Sequence, residues 1–156
     1  MSRWARRLSF VIAALMLAAS ASPEVGPREL EAQTRASVER DYRLAWQSLQ
    51  RALAENRPEL LNEYFVGAAR DKFTSTIREQ RKAGIQAIYS EPSHDFSLVF
   101  YSPEGLSIQL LDKVQYTEEV RDYGRTVGSA QVRARYVAVM TPTETKWKVR
   151  VLQAEP

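Results

Sequence analysis

Two periodicities divide this chain at Gly84. Val38, Tyr42, Trp46, Leu49 and Leu53 recur at spacings of four, four, three and four, which is one face of an amphipathic helix. The helix is expected to end near Asn56, because Pro58 disfavours helix at the residue before it and suits the first turn of a new one. Leu60, Leu61, Tyr64 and Phe65 then cluster, and Ala69, Phe73 and Ile77 continue a helical stripe. Arg78, Arg81 and Lys82 followed by Gly84 form a stop signal, with cations at the negative end of the helix dipole.

Beyond Gly84 the period falls to two. Phe96, Leu98 and Phe100 alternate with polar neighbours, and "SPEG" at 102–105 supplies a hairpin turn. Leu106, Ile108, Leu110, Asp112, Val114 and Tyr116 then share one side of a second strand. The polar "EEVRDYGRT" is expected to turn the chain again. Ala130, Val132, Ala134, Tyr136 and Ala138 oppose Gln131, Arg133 and Arg135, and after "TPTET" a last strand sets Trp147, Val149 and Val151 against Lys146, Lys148 and Arg150. Helices followed by a curved antiparallel meander with one apolar face predict an α+β domain, with the helices packed on a sheet of four or more strands.

Ahead of Val38 the pattern is different. Residues 1–21 hold Arg3, Arg6 and Arg7, an apolar stretch from Leu8, and the small residues Ala19-Ser20-Ala21, which is the layout of a signal peptide cleaved near Ala21. Leu8 to Ala21 is shorter than the roughly 20 apolar residues of a spanning helix. Residues 22–37, polar and holding two prolines and a glycine, read as a linker and the start of the first helix. A single domain is expected over 38–156, periplasmic or secreted, with no membrane span once the leader is gone.

Export changes the meaning of the charge. The chain has 22 basic and 19 acidic residues, but three of the arginines and none of the acids precede residue 22, so the exported part carries 19 of each. The basic excess that would hint at nucleic acid disappears. The chain has no cysteine, so the fold has no disulfide and must rest on an apolar core.

The tryptophan-bearing first helix, the short second helix, the third helix ending in glycine and the terminal "KWKVRVL" strand resemble the nuclear-transport-factor-2-like superfamily. That cone-shaped fold also includes ketosteroid isomerase and scytalone dehydratase. The resemblance covers roughly residues 38–154 through element order, and it implies a pocket between the helices and the concave sheet face. No catalytic motif of the family maps onto a numbered position here. It also implies a homodimer through the sheet, to which Val137 to Met140 would contribute.

Inward direction selects the candidates for that pocket: Tyr42, Trp46, Asp112, Tyr116 and Tyr136. Asp112 falls where alternation predicts an apolar residue, and a buried carboxylate must pair or shift its pKa. In the isomerase relative a carboxyl group in an apolar pocket does the chemistry. The alternative is a β-bulge at Leu110-Leu111, which would send Asp112 to solvent beside Lys113. His94, the only histidine, is expected as an exposed turn or edge residue before its strand, with Asp95 on the opposite face. A lone histidine and no cysteine give no metal site, and no cofactor is expected. Arg133, Arg135, Lys146, Lys148 and Arg150 are expected to form a basic outer stripe that docks an acidic partner, unless Glu118, Glu119 and Asp122 neutralise it.

Composition favours a non-catalytic exported domain that binds a small apolar ligand or a protein partner, because the inward face is rich in aromatics and poor in ionisable groups. The alternative is a lyase or isomerase using Asp112 with a pocket tyrosine.

Overall fold

The computed structural model describes residues 26–156; the leader expected over 1–21 and its cleavage site lie outside the described residues. Helix α1 spans Ala32–Glu55, a 3-10 helix Pro58–Glu63, and α2 Gly67–Ala83, followed by β1 Ile85–Tyr101, β2 Ile108–Asp122, β3 Arg125–Pro142 and β4 Trp147–Ala154. The strands form one antiparallel meander in the order β1-β2-β3-β4. This is the helices-on-sheet α+β architecture that the two periodicities predict.

The stripe of α1 is buried along its length, from Val38 through Tyr42, Trp46 and Leu49 to Leu53. Burial of side chains of this size stabilises by about 1.5–3 kcal/mol each. The helix stops at Asn56, which takes a left-handed conformation and donates through its amide to the Ile85 carbonyl at 2.8 Å. Pro58 then opens the 3-10 turn. Val66 N–H to the Val149 carbonyl and Val149 N–H to the Tyr64 carbonyl stitch the next segment to β4. Gly84 caps α2 at φ 71°, where only glycine is comfortable.

Bulges decide which residues face the helices. In β1 the pairing passes from Ser90↔Thr117 to Ser93↔Gln115, so one extra residue sits at Glu91-Pro92, and Glu91 adopts φ 51°. A bulge tolerates a proline that cannot donate to the ladder. A second extra residue, Val99, follows Leu98↔Leu110. The inward set of β1 is therefore Ala87 and Tyr89, then His94, Phe96 and Leu98, then Tyr101.

Five expectations are corrected by the structure. The strand begins at Ile85, so His94 stands in mid-strand rather than ahead of it. Phe100 is turned outward by the Val99 bulge, and Leu106 precedes β2 in the exposed turn. In β4 the pairing skips Arg150, so Leu152 replaces Val151 on the buried side. The polar stretch 118–126 is mostly paired strand: only Tyr123 and Gly124, both with positive φ, make the turn, the signature of a tight primed hairpin.

Candidate functional site

Asp112 is the centre of the inner face. From Ile108 to Glu119 the pairing of β2 with β3 runs without a shift, so the Leu110-Leu111 bulge does not occur and strict alternation carries Asp112 inward. Phe96 and Tyr136 flank it across the strands. Its side chain is 0% exposed. A carboxylate in such a place must find donors, and two converge on the same oxygen. Tyr42, from the buried face of α1, donates its hydroxyl to Oδ2 at 2.7 Å. His94 brings Nδ1 to 2.8 Å of Oδ2.

His94 is thus not the exposed residue that its place beside Pro92 suggests. Its side chain is 7% exposed, and its ring lies 5.0 Å from that of Trp46. Asp95 faces outward opposite Lys113, on the other side of the strand from His94. The partner is instead Asp112 on the adjacent strand, eighteen residues on in sequence. Because a carboxylate only accepts, Nδ1 is the ring nitrogen that donates in this contact.

Two polar atoms at the site have no hydrogen-bond partner among the described residues: Asp112 Oδ1 and Trp46 Nε1. Around them the other candidates form an aromatic wall. Trp46 lies 5.4 Å from Tyr136 and 6.3 Å from Tyr116, while Tyr89 and Tyr116 stand 4.4 Å apart. Tyr89 belongs to this wall although the sequence gives little sign of it, since it precedes the bulge that reverses the parity of β1. Tyr42 is fully buried and Tyr116 nearly so, while Tyr89 and Tyr136 are partly open.

Burial governs the phenols. It raises the Tyr42 phenol far above its ordinary value, with the Asp112 charge adding to the effect. Burial, followed by the Glu118 charge, pushes Tyr89 up to about 12. Tyr116 is likewise pushed up to about 12 by burial and then by Tyr89. Burial and the Tyr116 hydroxyl raise Tyr136. All four therefore remain hydrogen-bond donors at neutral pH. Among the described residues no group of three or more histidines and carboxylates is placed to hold a metal.

The five basic candidates do not form one stripe. Lys148 lies opposite Thr141, near the β3–β4 turn, where Lys146 pairs with Glu63 at 2.8 Å and Lys148 donates to the Asn62 carbonyl. The stem of Arg150 lies against Gly67. Arg133 and Arg135 stand farther along β3, past the end of β4, opposite Gln115 and Lys113. Arg135 is paired with Glu155 at 2.9 Å. Of the segment 137–140, Ala138 and Met140 are buried inside, and only Val137 and Val139 reach the outer face.

No family model matches the sequence, and no curated protein does. Solved structures do match. The intermembrane-space region of the chloroplast protein ARC6 aligns with 81% of this chain and 98% of its own length at 14% identity and a TM-score of 0.64. A protein assigned as a scytalone dehydratase from Novosphingobium aromaticivorans covers 81% and 89% at 15% identity and 0.56. One assigned as a dehydratase of the NTF2-like family from Streptomyces avermitilis covers 78% and 97% at 12% and 0.51. At these identities the likeness is one of fold, and the fold is nuclear-transport-factor-2-like. Proteins assigned as dehydratases share it with a region of a chloroplast protein, so function must be argued from the site.

Proposed function

We propose that the mature chain is an exported, non-catalytic binding domain that holds a small apolar ligand or a segment of a protein partner against the aromatic wall of its concave face. Export is supported by the layout of residues 1–21. The observation that carries the binding role is the wall itself, in which Tyr89 and Tyr136 stay partly open in front of buried Tyr42, Trp46 and Tyr116. Tyrosines offer apolar area with a polar tip, which suits a ligand that is mostly apolar with a few acceptors.

The Asp112 network supports a binding role over a catalytic one. Its carboxylate has no solvent access, and the oxygen that is engaged already accepts from two donors. Protein purified from its own cell envelope and examined by native mass spectrometry is expected to carry an adduct or a co-purifying chain that Tyr136→Ala loses. A preparation with neither overturns the proposal.

The second reading is a lyase or isomerase, and one observation favours it. Asp112 fixes His94 through Nδ1, which is how a carboxylate orients an imidazole for general-base work at Nε2. For any substrate found, Asp112→Asn should then abolish turnover without unfolding the chain.

A homodimer through the outer sheet face belongs to the same proposal. Leu111, Val137, Val139 and Val151 lie half-buried on that face, beside exposed Phe100. Sedimentation of wild type against Val137→Glu tests it; an unchanged monomeric species in both would reject it.

A further inference from the structure

One surface lies apart from the concave wall and does not depend on that reading. β3 is paired with β2 from Arg125↔Asp122 to Met140↔Ile108, whereas β4 covers it only from Tyr136 to Pro142. The last bond on the β4 side runs from Glu155 N–H to the Arg135 carbonyl at 2.8 Å. Among the described residues nothing pairs with that side of β3 beyond this point. Antiparallel ladders repeat every second residue, so Arg133, Gln131 and Ser129 direct N–H and C=O to the same open side as Arg135.

Strand edges left open are normally blunted by proline, lysine, an inward charge or a covering element. The segment Ser129-Ala130-Gln131-Val132-Arg133-Ala134 holds no proline, lysine or acid, and Ser129 to Gln131 are exposed. Its only irregularity is the register shift at Val127, which lies outside it. It is a template about 20 Å long, the length of an ordinary strand.

Its two faces differ chemically. On the inner side Ala130, Val132 and Ala134 lead to Tyr136. On the outer side Arg133 has Gln115 as its neighbour on β2, and Arg135 and Lys113 lie next to it. Arg135 is shared with Glu155, and Lys113 has Asp95 across from it on β1; Arg133 has no ion pair among the described residues.

We propose that the open edge of β3, from Ser129 to Ala134, accepts a fifth strand from a protein partner, an extended segment in which acidic and apolar residues alternate. It lies in line with β4 and antiparallel to β3. Backbone bonds supply the affinity; the acidic residues face Arg133, and the apolar residues cover Val132 and Ala134.

The probe is a fluorescein-labelled peptide in which glutamate and valine alternate over about six residues, compared with a block peptide of the same composition. Saturable anisotropy is expected with the alternating peptide alone, weakened about tenfold by Arg133→Glu. Gln131→Pro, which removes an N–H that β2 does not use, should abolish it. Amide exchange in the unaltered protein keeps the test valid should that variant not fold, because exchange at Gln131 and Arg133 must slow when the peptide is present. Equal binding of the block peptide, or no protection of these amides, overturns the proposal. Self-association that protects the same amides without peptide also overturns it, by assigning the edge to a second copy of the chain.

Discussion

His94 Nδ1 and Asp112 Oδ2 lie 2.8 Å apart inside the sheet–helix sandwich, eighteen residues apart in the chain. The contact makes Asp112 a structural acceptor for Tyr42 and His94 together. Asp112→Ala should cost about 2–4 kcal/mol, since it leaves two buried donors unpaired. In a double-mutant cycle with His94→Ala the coupling should be on the order of 1 kcal/mol, read from urea midpoints. Additive losses would show that the contact contributes nothing in solution.

Asp41 ties the first helix to the last strand. It is 2% exposed, and its Oδ2 accepts the Trp147 backbone N–H at 2.8 Å. Asp41→Ala strands that N–H and is expected to destabilise by about 1–3 kcal/mol. Asp41→Asn keeps an acceptor oxygen and should recover most of the loss in thermal melts. Equal melting of the two variants would refute this account.

Gly84 closes α2, and its carbonyl accepts the Tyr123 N–H at the turn of the central hairpin. A Cβ there would lie 2.7 Å from the Tyr123 ring, and its φ of 71° disfavours any side chain. Gly84→Ala should cost about 1–2 kcal/mol from the backbone alone, with the clash in addition. Tyr123 is 82% exposed, so Tyr123→Ala should relieve the clash and leave the backbone cost. Full restoration by that second change would contradict the assigned strain.

The phenols make the fold sensitive to alkali. Tyr89 and Tyr116 are pushed up to about 12 in the folded chain, against about 10 unfolded. Between those values the folded state binds more protons, so stability falls as pH rises. The contribution is fully present below pH about 10 and is lost towards pH about 12. Chemical denaturation across this window should show a gentler decline for Tyr89→Phe than for wild type. An unchanged slope would remove Tyr89 from the account.

Much of this is legible in the sequence. Helical spacing placed Tyr42 and Trp46 inward, and alternation placed Asp112, Tyr116 and Tyr136 there. His94 shares the parity of Phe96 and Leu98, but Pro92 makes the segment before Asp95 read as a turn, whereas β1 begins at Ile85 and carries the proline in a bulge. Doubled apolar residues were an ambiguous signal. At Leu98-Val99 and Val151-Leu152 they do accompany register shifts. At Leu110-Leu111 they do not, since Leu111 joins Val137 across the outer face. An apolar outer residue and a bulge look alike along one strand and can be separated only by the partner strand. The basic residues failed as a stripe for a related reason: β4 is shorter than β3, so neighbours in strand order are not neighbours along the strand.

The irregularity at Glu91-Pro92 also protects the pairing from error. Were β1 to zip onto β2 from Ser90↔Thr117 without it, Asp95 would arrive opposite Asp112 on the inner side, and His94 would face solvent beside Lys113. Two carboxylates would then be enclosed together with no cation between them, a cost that no apolar contact on that face repays. One residue out of step thus excludes its own competitor, and the histidine that completes the network also proofreads the zipper.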